Sequence, residues 1–319
     1  MGRKAKSLLY HICRAMIVLI IFYYAVYYIY NIKLKSRYAF MYEGFQGPPQ
    51  WNGPPFISGG VFQSLCDYSI DDRYAIIPYD DELKKGNRVF MKVNDIPTFL
   101  QSPPSVPVTV VISNSDETFD DTLMMKLKPY VTAVYAINCS AKGAKQIPIG
   151  FRDDQYTPHK DLVDILANPK VPGEKTTLCL VNFLVETNGG ERQRAVDRFS
   201  SESWATVDKS YLNYGLSKAT VFTIPETIQK RLDYYSILKK TKFVVCPPGR
   251  GVDTHRVYET LFFGGIPIIK TSFLDPMYEK LGGCWIVNDW TDVTQEACNK
   301  RWAAKGEPTI QYDASYWLK

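Results

Sequence analysis

Several spacings that announce common chemistries are missing from this chain of 319 residues. None of its seven cysteines stands in a C-x-x-C pair, and neither His159 nor His255 falls at ligand spacing from a cysteine, so no zinc site is expected. There is no D-x-D triplet. The acidic pairs Asp71-Asp72, Asp80-Asp81, Asp120-Asp121 and Asp153-Asp154 are adjacent residues and offer no spaced carboxylates to a divalent metal on a diphosphate. The G-K-[ST] ending of a Walker A loop is absent, and no G-x-G-x-x-G follows the first strand pattern, which argues against a nicotinamide-dependent oxidoreductase. No internal repeat is visible in the sequence.

Charge of one sign is scarce outside the N-terminus. The formal net charge is +5, but Arg3, Lys4, Lys6, Arg14, Lys33, Lys35 and Arg37 all precede residue 38. The remainder is near neutral, which argues against nucleic acid as a partner. The 22 tyrosines carry no RNA-binding signature and read as packing.

What the N-terminus does have is a long apolar run. Ala15 to Ile32 holds no charged residue, and about 18 such residues rise roughly 27 Å as a helix, enough to cross a bilayer. Tyr23, Tyr24, Tyr27, Tyr28 and Tyr30 crowd its C-terminal part, where aromatic rings seek the interface. Polar, basic residues follow from Asn31 to Arg37 in place of a small-residue cleavage site, so the run is expected to stay as an anchor. The expected layout is a cytoplasmic basic tail (1–14), a transmembrane signal anchor (15–32) and a stem (33–60) rich in Gly and Pro, in a single-pass type II membrane protein. Beyond the membrane, Cys66, Cys139, Cys179, Cys246, Cys284 and Cys298 meet an oxidising lumen, with pairing left open by their spacing. Asn138-Cys139-Ser140 is the one glycosylation sequon, and Asn138 its expected acceptor.

From residue 61 the periodicity alternates between strand and helix, the mark of an α/β fold with parallel sheets. In a first domain (61–170), the pattern predicts strands over Val106 to Ser113 and Val131 to Ile137, with a helix from Glu117 to Leu127 between them. Asn168 to Gly173 reads as a hinge. A second domain (171–319) repeats the logic: strands at Thr177 to Val185, Phe243 to Cys246, Ile266 to Lys270 and Trp285 to Asn288 alternate with helices at Glu191 to Ser200, Glu226 to Lys240, Thr254 to Phe263 and Asp275 to Leu281. Two Rossmann-like domains follow from this order.

The chemistry concentrates in Cys246 to Glu259, a stretch that leaves a buried strand and opens a helix. That junction is where open parallel sheets bind ligands. Gly249 and Gly251 let the backbone approach an anion, while Asp253 and Thr254, also expected to bind the nucleotide sugar, lead into a helix end that offers free N–H groups and a positive dipole. Arg250 and Arg256 add bidentate donors for a diphosphate. Glu259 lies roughly 6 to 9 Å down the helix from its start at ~1.5 Å per residue, about the step from a diphosphate to a ribose. Arg256 and Glu259 fit a surface ion pair at the same spacing. Arg192 and Arg194, beside Asn188-Gly189-Gly190, form a second anion-loop candidate or two solvated charges. Trp285 and Trp290 suit either sugar stacking or the core.

The run from Lys242 through Ile269, including Gly264-Gly265-Ile266-Pro267-Ile268-Ile269, resembles the C-terminal signature of exostosin-like glycosyltransferases. Looser likeness extends to Val110-Val111-Ile112-Ser113-Asn114-Ser115-Asp116, Ala136-Ile137-Asn138, Ile147-Pro148-Ile149-Gly150, Val181-Asn182-Phe183 and Asn288-Asp289-Trp290. The resemblance implies a GT-B fold, a UDP-sugar donor in the cleft between domains, a glycan or glycoprotein acceptor, residence in Golgi membranes, and inversion at the sugar carbon. No cofactor is expected, since arginines and a helix end take the place of a metal. Asp116, at the end of the first domain's strand, is the candidate base that takes the acceptor's proton, with Glu117 and His159 behind it. Asp116 equally suits a helix N-cap. A transferase-like partner without turnover is the alternative, and the retained Arg250, Arg256 and Glu259 favour the enzyme.

Overall fold

Where β-branched and aromatic residues run together between turn residues, the chain forms short parallel strands buried on both faces. The computed structural model describes residues 57–70, 84–152, 174–208, 224–306 and 309–319. The first sheet holds β1 (Tyr68–Ile70), β2 (Arg88–Met91), β3 (Val108–Ile112), β4 (Val131–Ala136) and β5 (Lys145–Gln146), all parallel and in that spatial order. The second holds β6 (Thr177–Val181), β7 (Ala205–Val207), β8 (Thr241–Val245), β9 (Ile266–Lys270) and β10 (Trp285–Val287). These are also parallel, but ordered β10-β9-β8-β6-β7. The molecule is thus α/β with two parallel sheets, as the alternation predicts.

The described helices are α1 (Gly59–Ser64), α2 (Ile96–Gln101), α3 (Asp121–Leu127), α4 (Gly189–Ser200), α5 (Ile224–Lys239), α6 (His255–Phe262), α7 (Asp275–Leu281), α8 (Gln295–Ala303) and α9 (Ala314–Trp317). Each sheet has its own core: Val89, Phe99, Val110 and Val134 in the first, Cys179, Phe199, Phe243 and Trp290 in the second. A third cluster joins them. It packs Phe62, Tyr135 and Ile149 from the first domain with Tyr258, Leu261 and Met277 from the second. At about 1.5–3 kcal/mol for each large apolar side chain taken from water, this shared core fixes the two domains against each other.

The fold corrects three expectations. The folded body begins by Ile57, inside the stretch read as stem: Ser58 accepts from Val61 N–H to cap α1, and Ile57 to Phe62 are buried. Of the glycines that suggest a linker, Gly59 serves close packing, since a Cβ on it would stand 1.8 Å from Asn114 Oδ1. The helix expected from Glu117 begins at Asp121, because Asp120 supplies the N-cap by accepting from Leu123 N–H at 2.9 Å. The chain end also leaves the second domain. Arg88 donates to the Leu318 carbonyl at 3.2 Å and Lys145 to the Lys319 carbonyl at 2.7 Å, so α9 is bound to the first sheet's side.

Among the described residues no helix is long and apolar enough to cross a membrane. The expected tail, the span at 15–32, the stem up to residue 56, the hinge near 168–173 and His159 lie outside those residues. Among the described residues the six cysteines are free thiols, and burial pushes the Cys66, Cys246 and Cys298 thiols up to about 12.

Candidate functional site

In the second sheet the chain goes from β6 outward to β7, then returns to the other side of β6 as β8. The loops after β6 and β8 therefore part in opposite directions at the carboxyl end of the sheet, and such a switch point leaves a crevice. A cleft of about 550 Å³ opens there, against the loops of the first domain. Its walls include Arg192, Arg231, Tyr234, Gly249 to Gly251, Thr254 to Arg256 and Glu259 from the second domain, with Asp116, Ile149 and Arg152 from the first.

The loop after β8 is held in shape by its own backbone and by one arginine. Gly249 N–H bonds the Gly251 carbonyl at 2.9 Å. Beneath it Arg192 is buried, donating Nε to the Pro248 carbonyl at 2.9 Å and Nη1 to the Leu184 carbonyl at 2.7 Å, with its guanidinium 5.3 Å from the Phe183 ring centre. Burial, then the charge of Arg256, pulls Arg192 down to about 10. The sequence leaves Arg192 as an anion-loop candidate or a solvated charge; the structure gives two of its donor nitrogens to the protein and makes it the loop's support. Gly249 is required for that, because a Cβ there would meet Arg192 Nη2 at 2.8 Å. Arg194 is exposed and pairs with Glu191 across one turn.

Asp253 is also reassigned. It is 3 % exposed, and its carboxylate accepts from Ile149 N–H at 2.8 Å, Thr254 N–H at 2.8 Å, Tyr278 Oη at 2.9 Å and Tyr258 Oη at 2.5 Å. Burial outweighs the bonds from Ile149, Tyr258 and Tyr278 and leaves its carboxyl above the ordinary range. Its four donors make Asp253 a knot between the two domains, at the wall of the cleft.

Arg256 turns toward Asn182, giving Nη1 to its Oδ1 and Nη2 to its carbonyl at 2.8 Å, and its guanidinium lies 5.3 Å from the Tyr234 ring centre. Its charge stays in the cleft wall. Glu259, one turn further along α6, is 5 % exposed and lines the same cleft. Arg250 is exposed at the loop tip. Thr254 stands in the N-cap position of α6 without a side-chain cap bond, and its Oγ1 is buried with no hydrogen-bond partner among the described residues. Asn182 Nδ2, behind Arg256, is in the same condition.

Asp116 is exposed and faces the loop: its carbonyl would stand 3.2 Å from a Cβ on Gly251. The N-cap alternative for Asp116 falls to Asp120. Glu117 is occupied, accepting from Ser115 Oγ and from Asn94 at 3.1 Å. Those bonds, the Ser115 one first, hold its carboxyl below the usual range. Trp290 is buried and gives its Nε1 to Glu191 at 2.8 Å, while Trp285 packs on Phe243. Neither tryptophan lines the cleft. Asn138, the expected glycan acceptor, is 1 % exposed with its amide bonded at both ends. A glycan has no access to it in the folded chain.

Sequence reasoning missed Arg152, Arg231 and Tyr234 and gave His255 no role. Arg231 and Tyr234 sit three apart on α5, which puts them on one helix face. His255 opens α6 and meets the Gly150 carbonyl through Nδ1 at 2.7 Å, a second tie between domains. Among the described residues no three His, Cys, Asp or Glu side chains converge as metal ligands do.

The fold and cleft together define an α/β protein of two parallel sheets with an arginine-lined cleft between them. No family model matches the chain. A stretch of 71 residues, 22% of the chain, is 28% identical to a protein of Arabidopsis thaliana named a probable glycosyltransferase, and it spans 15% of that protein's length.

Proposed function

We propose that this protein is a glycosyltransferase, of the exostosin-like, GT-B type, that moves a sugar from a UDP-sugar to a glycan or glycoprotein acceptor with inversion. The observation that carries the reading is the cleft itself: Arg152, Arg192, Arg231, Arg250 and Arg256 line one cleft around the buried Glu259. Five guanidinium groups against the three carboxyls of Asp116, Asp253 and Glu259 in the same walls leave a surplus of positive charge, which suits an anion of more than one charge. The named similarity to a plant glycosyltransferase points the same way.

In this reading the diphosphate lies over Gly249 to Gly251 at the start of α6, with Arg250, Arg152 and Arg231 as its charged neighbours and Arg256 adding field from the wall. Glu259 accepts from the ribose hydroxyls. Asp116, across the cleft, takes the acceptor hydroxyl's proton as its oxygen bonds the anomeric carbon from the face opposite the nucleotide. The diphosphate leaves with the bonding electrons, and the arginines stabilise the charge that develops on it. The run from Ala15 to Ile32 would anchor this domain in a Golgi or other secretory membrane, or in a host membrane for a virus-encoded chain.

The test is a panel of UDP-sugars offered to the full chain, with released UDP and transferred sugar measured separately. Turnover of one donor and little of the rest is expected. Indifference to every sugar nucleotide would remove the enzyme reading.

A further inference from the structure

One side chain crosses the floor between the proposed base and the proposed donor loop. Asn138 follows β4 with φ +47, in the left-handed region where few residues other than glycine, asparagine and aspartate settle. Its Oδ1 accepts the Asp253 N–H at 2.8 Å, and its Nδ2 donates to the Ser115 carbonyl at 3.3 Å. Asp253 belongs to the loop that leads into α6, and Ser115 immediately precedes Asp116. The two loops are in contact at this point: a Cβ on Gly251 would stand 2.6 Å from Asn138 Nδ2. Glycine is therefore needed here for the approach of the two domains. Asp253 is itself bound to Tyr258 on α6 and Tyr278 on α7, so the far end of the strut is rigid. At the near end Phe119 N–H bonds the Asn138 carbonyl at 3.1 Å, which ties the loop after Asp116 to the same residue.

We propose that Asn138 is a positioning residue for transfer, setting the separation of the Asp116 loop from the 249–254 loop without touching either substrate. This rests on the reading of the cleft as a transferase site with Asp116 as base. The two loops come from different domains, and both the base and the donor must be in register for an in-line attack. A displacement of 1 Å at a reacting centre can cost about a hundredfold in rate. An amide suits the task because it presents an acceptor and a donor at once, and asparagine tolerates the backbone conformation that aims it.

The experiment compares Asn138→Gly and Asn138→Asp in the full chain. Glycine relieves the positive φ and removes both side-chain bonds, so the variant folds while the strut is gone. Aspartate keeps the acceptor and loses the donor. For Asn138→Gly the expected result is UDP affinity within about twofold of wild type and a transfer kcat lower by about tenfold or more. The donor KM stays unchanged, and amide exchange at residues 115–119 is faster. Asn138→Asp, which sets a buried carboxylate against the Ser115 carbonyl, should lose transfer at least as severely. A glycine variant with wild-type kcat and wild-type exchange at those amides would overturn the proposal. The exchange measurement needs no substrate: if wild type turns over no sugar nucleotide the transferase reading fails, while faster exchange in the glycine variant still identifies the strut.

Discussion

Arg192 reaches from the first turn of α4 to the loop after β8 and donates its Nε to the Pro248 carbonyl at 2.9 Å. The same guanidinium serves Leu184, so a single buried cation joins the two loops that part at the sheet's switch point. Replacing it with alanine leaves two carbonyls short of a donor. A loss of about 1–3 kcal/mol in stability is expected for each buried group so orphaned, less whatever water recovers. Nucleotide affinity should fall as well, because Gly249 to Gly251 lose their support. Urea denaturation and calorimetric UDP titration of Arg192→Ala check both effects, and unchanged affinity would separate the support from the site.

Asp116→Asn is expected to abolish sugar transfer while leaving UDP binding intact. The amide preserves the shape of the exposed side chain but cannot take a proton. The loss should be on the order of 10²-fold or more, the range of a general base. Paired measurements of transfer rate and UDP affinity decide it, and normal turnover would dismiss Asp116.

Glu259→Gln is expected to weaken UDP binding by about tenfold or more, given the ~1.5–3 kcal/mol that charged hydrogen bonds contribute. Binding of inorganic pyrophosphate should change little. A matched loss for both ligands would remove the ribose assignment.

Acid should loosen the contact between α4 and β9. Burial pushes the Glu191 carboxyl up, but the bonds from Arg194, Lys270 at 3.1 Å and Trp290 at 2.8 Å outweigh it and hold the group below its ordinary 4.5. The folded chain then binds this proton less tightly than the unfolded chain. The stability it gives is complete above pH 4.5, and is lost as pH falls from there through the lower folded value. Glu191→Gln should be less stable at pH 7 by about 1–2 kcal/mol, with a flatter dependence on acid in denaturation midpoints taken between neutral pH and the acid limb.

Asn138 should carry no glycan in the folded protein, whatever compartment it passes through. Intact mass and peptide mapping after expression in a secretory host check this, and occupancy at Asn138 would mean that the first domain had not closed on the second.

The parallel strands were legible because the buried runs at Val108–Ile112, Thr241–Val245 and Ile266–Lys270 are continuous and bounded by turn residues. The segment from Ile57 to Gln101 was not. Among its described residues the α-helices are six residues long and the strands three or four, too short to establish a period. The location of the site at the β8–α6 junction followed from Gly249, Gly251 and the arginines. The roles within it did not, because residue type alone cannot say whether a guanidinium or carboxylate meets a ligand or the chain's own carbonyls and amides. Arg192 and Asp253 were both candidates for the ligand and are both internal supports. Asn138 looked like a surface acceptor because a sequon carries no information about burial.

Binding of a nucleoside diphosphate in this cleft, through arginines and a helix end, is open to direct measurement. Calorimetric titration of the full chain with UDP, with and without a chelator, tests it most directly. Saturable binding that survives chelation and falls by about tenfold or more in Arg250→Ala, as expected for loss of one charged contact, is the predicted result. Absence of UDP binding, or binding indifferent to Arg250, Arg256 and Glu259 alike, would contradict the account.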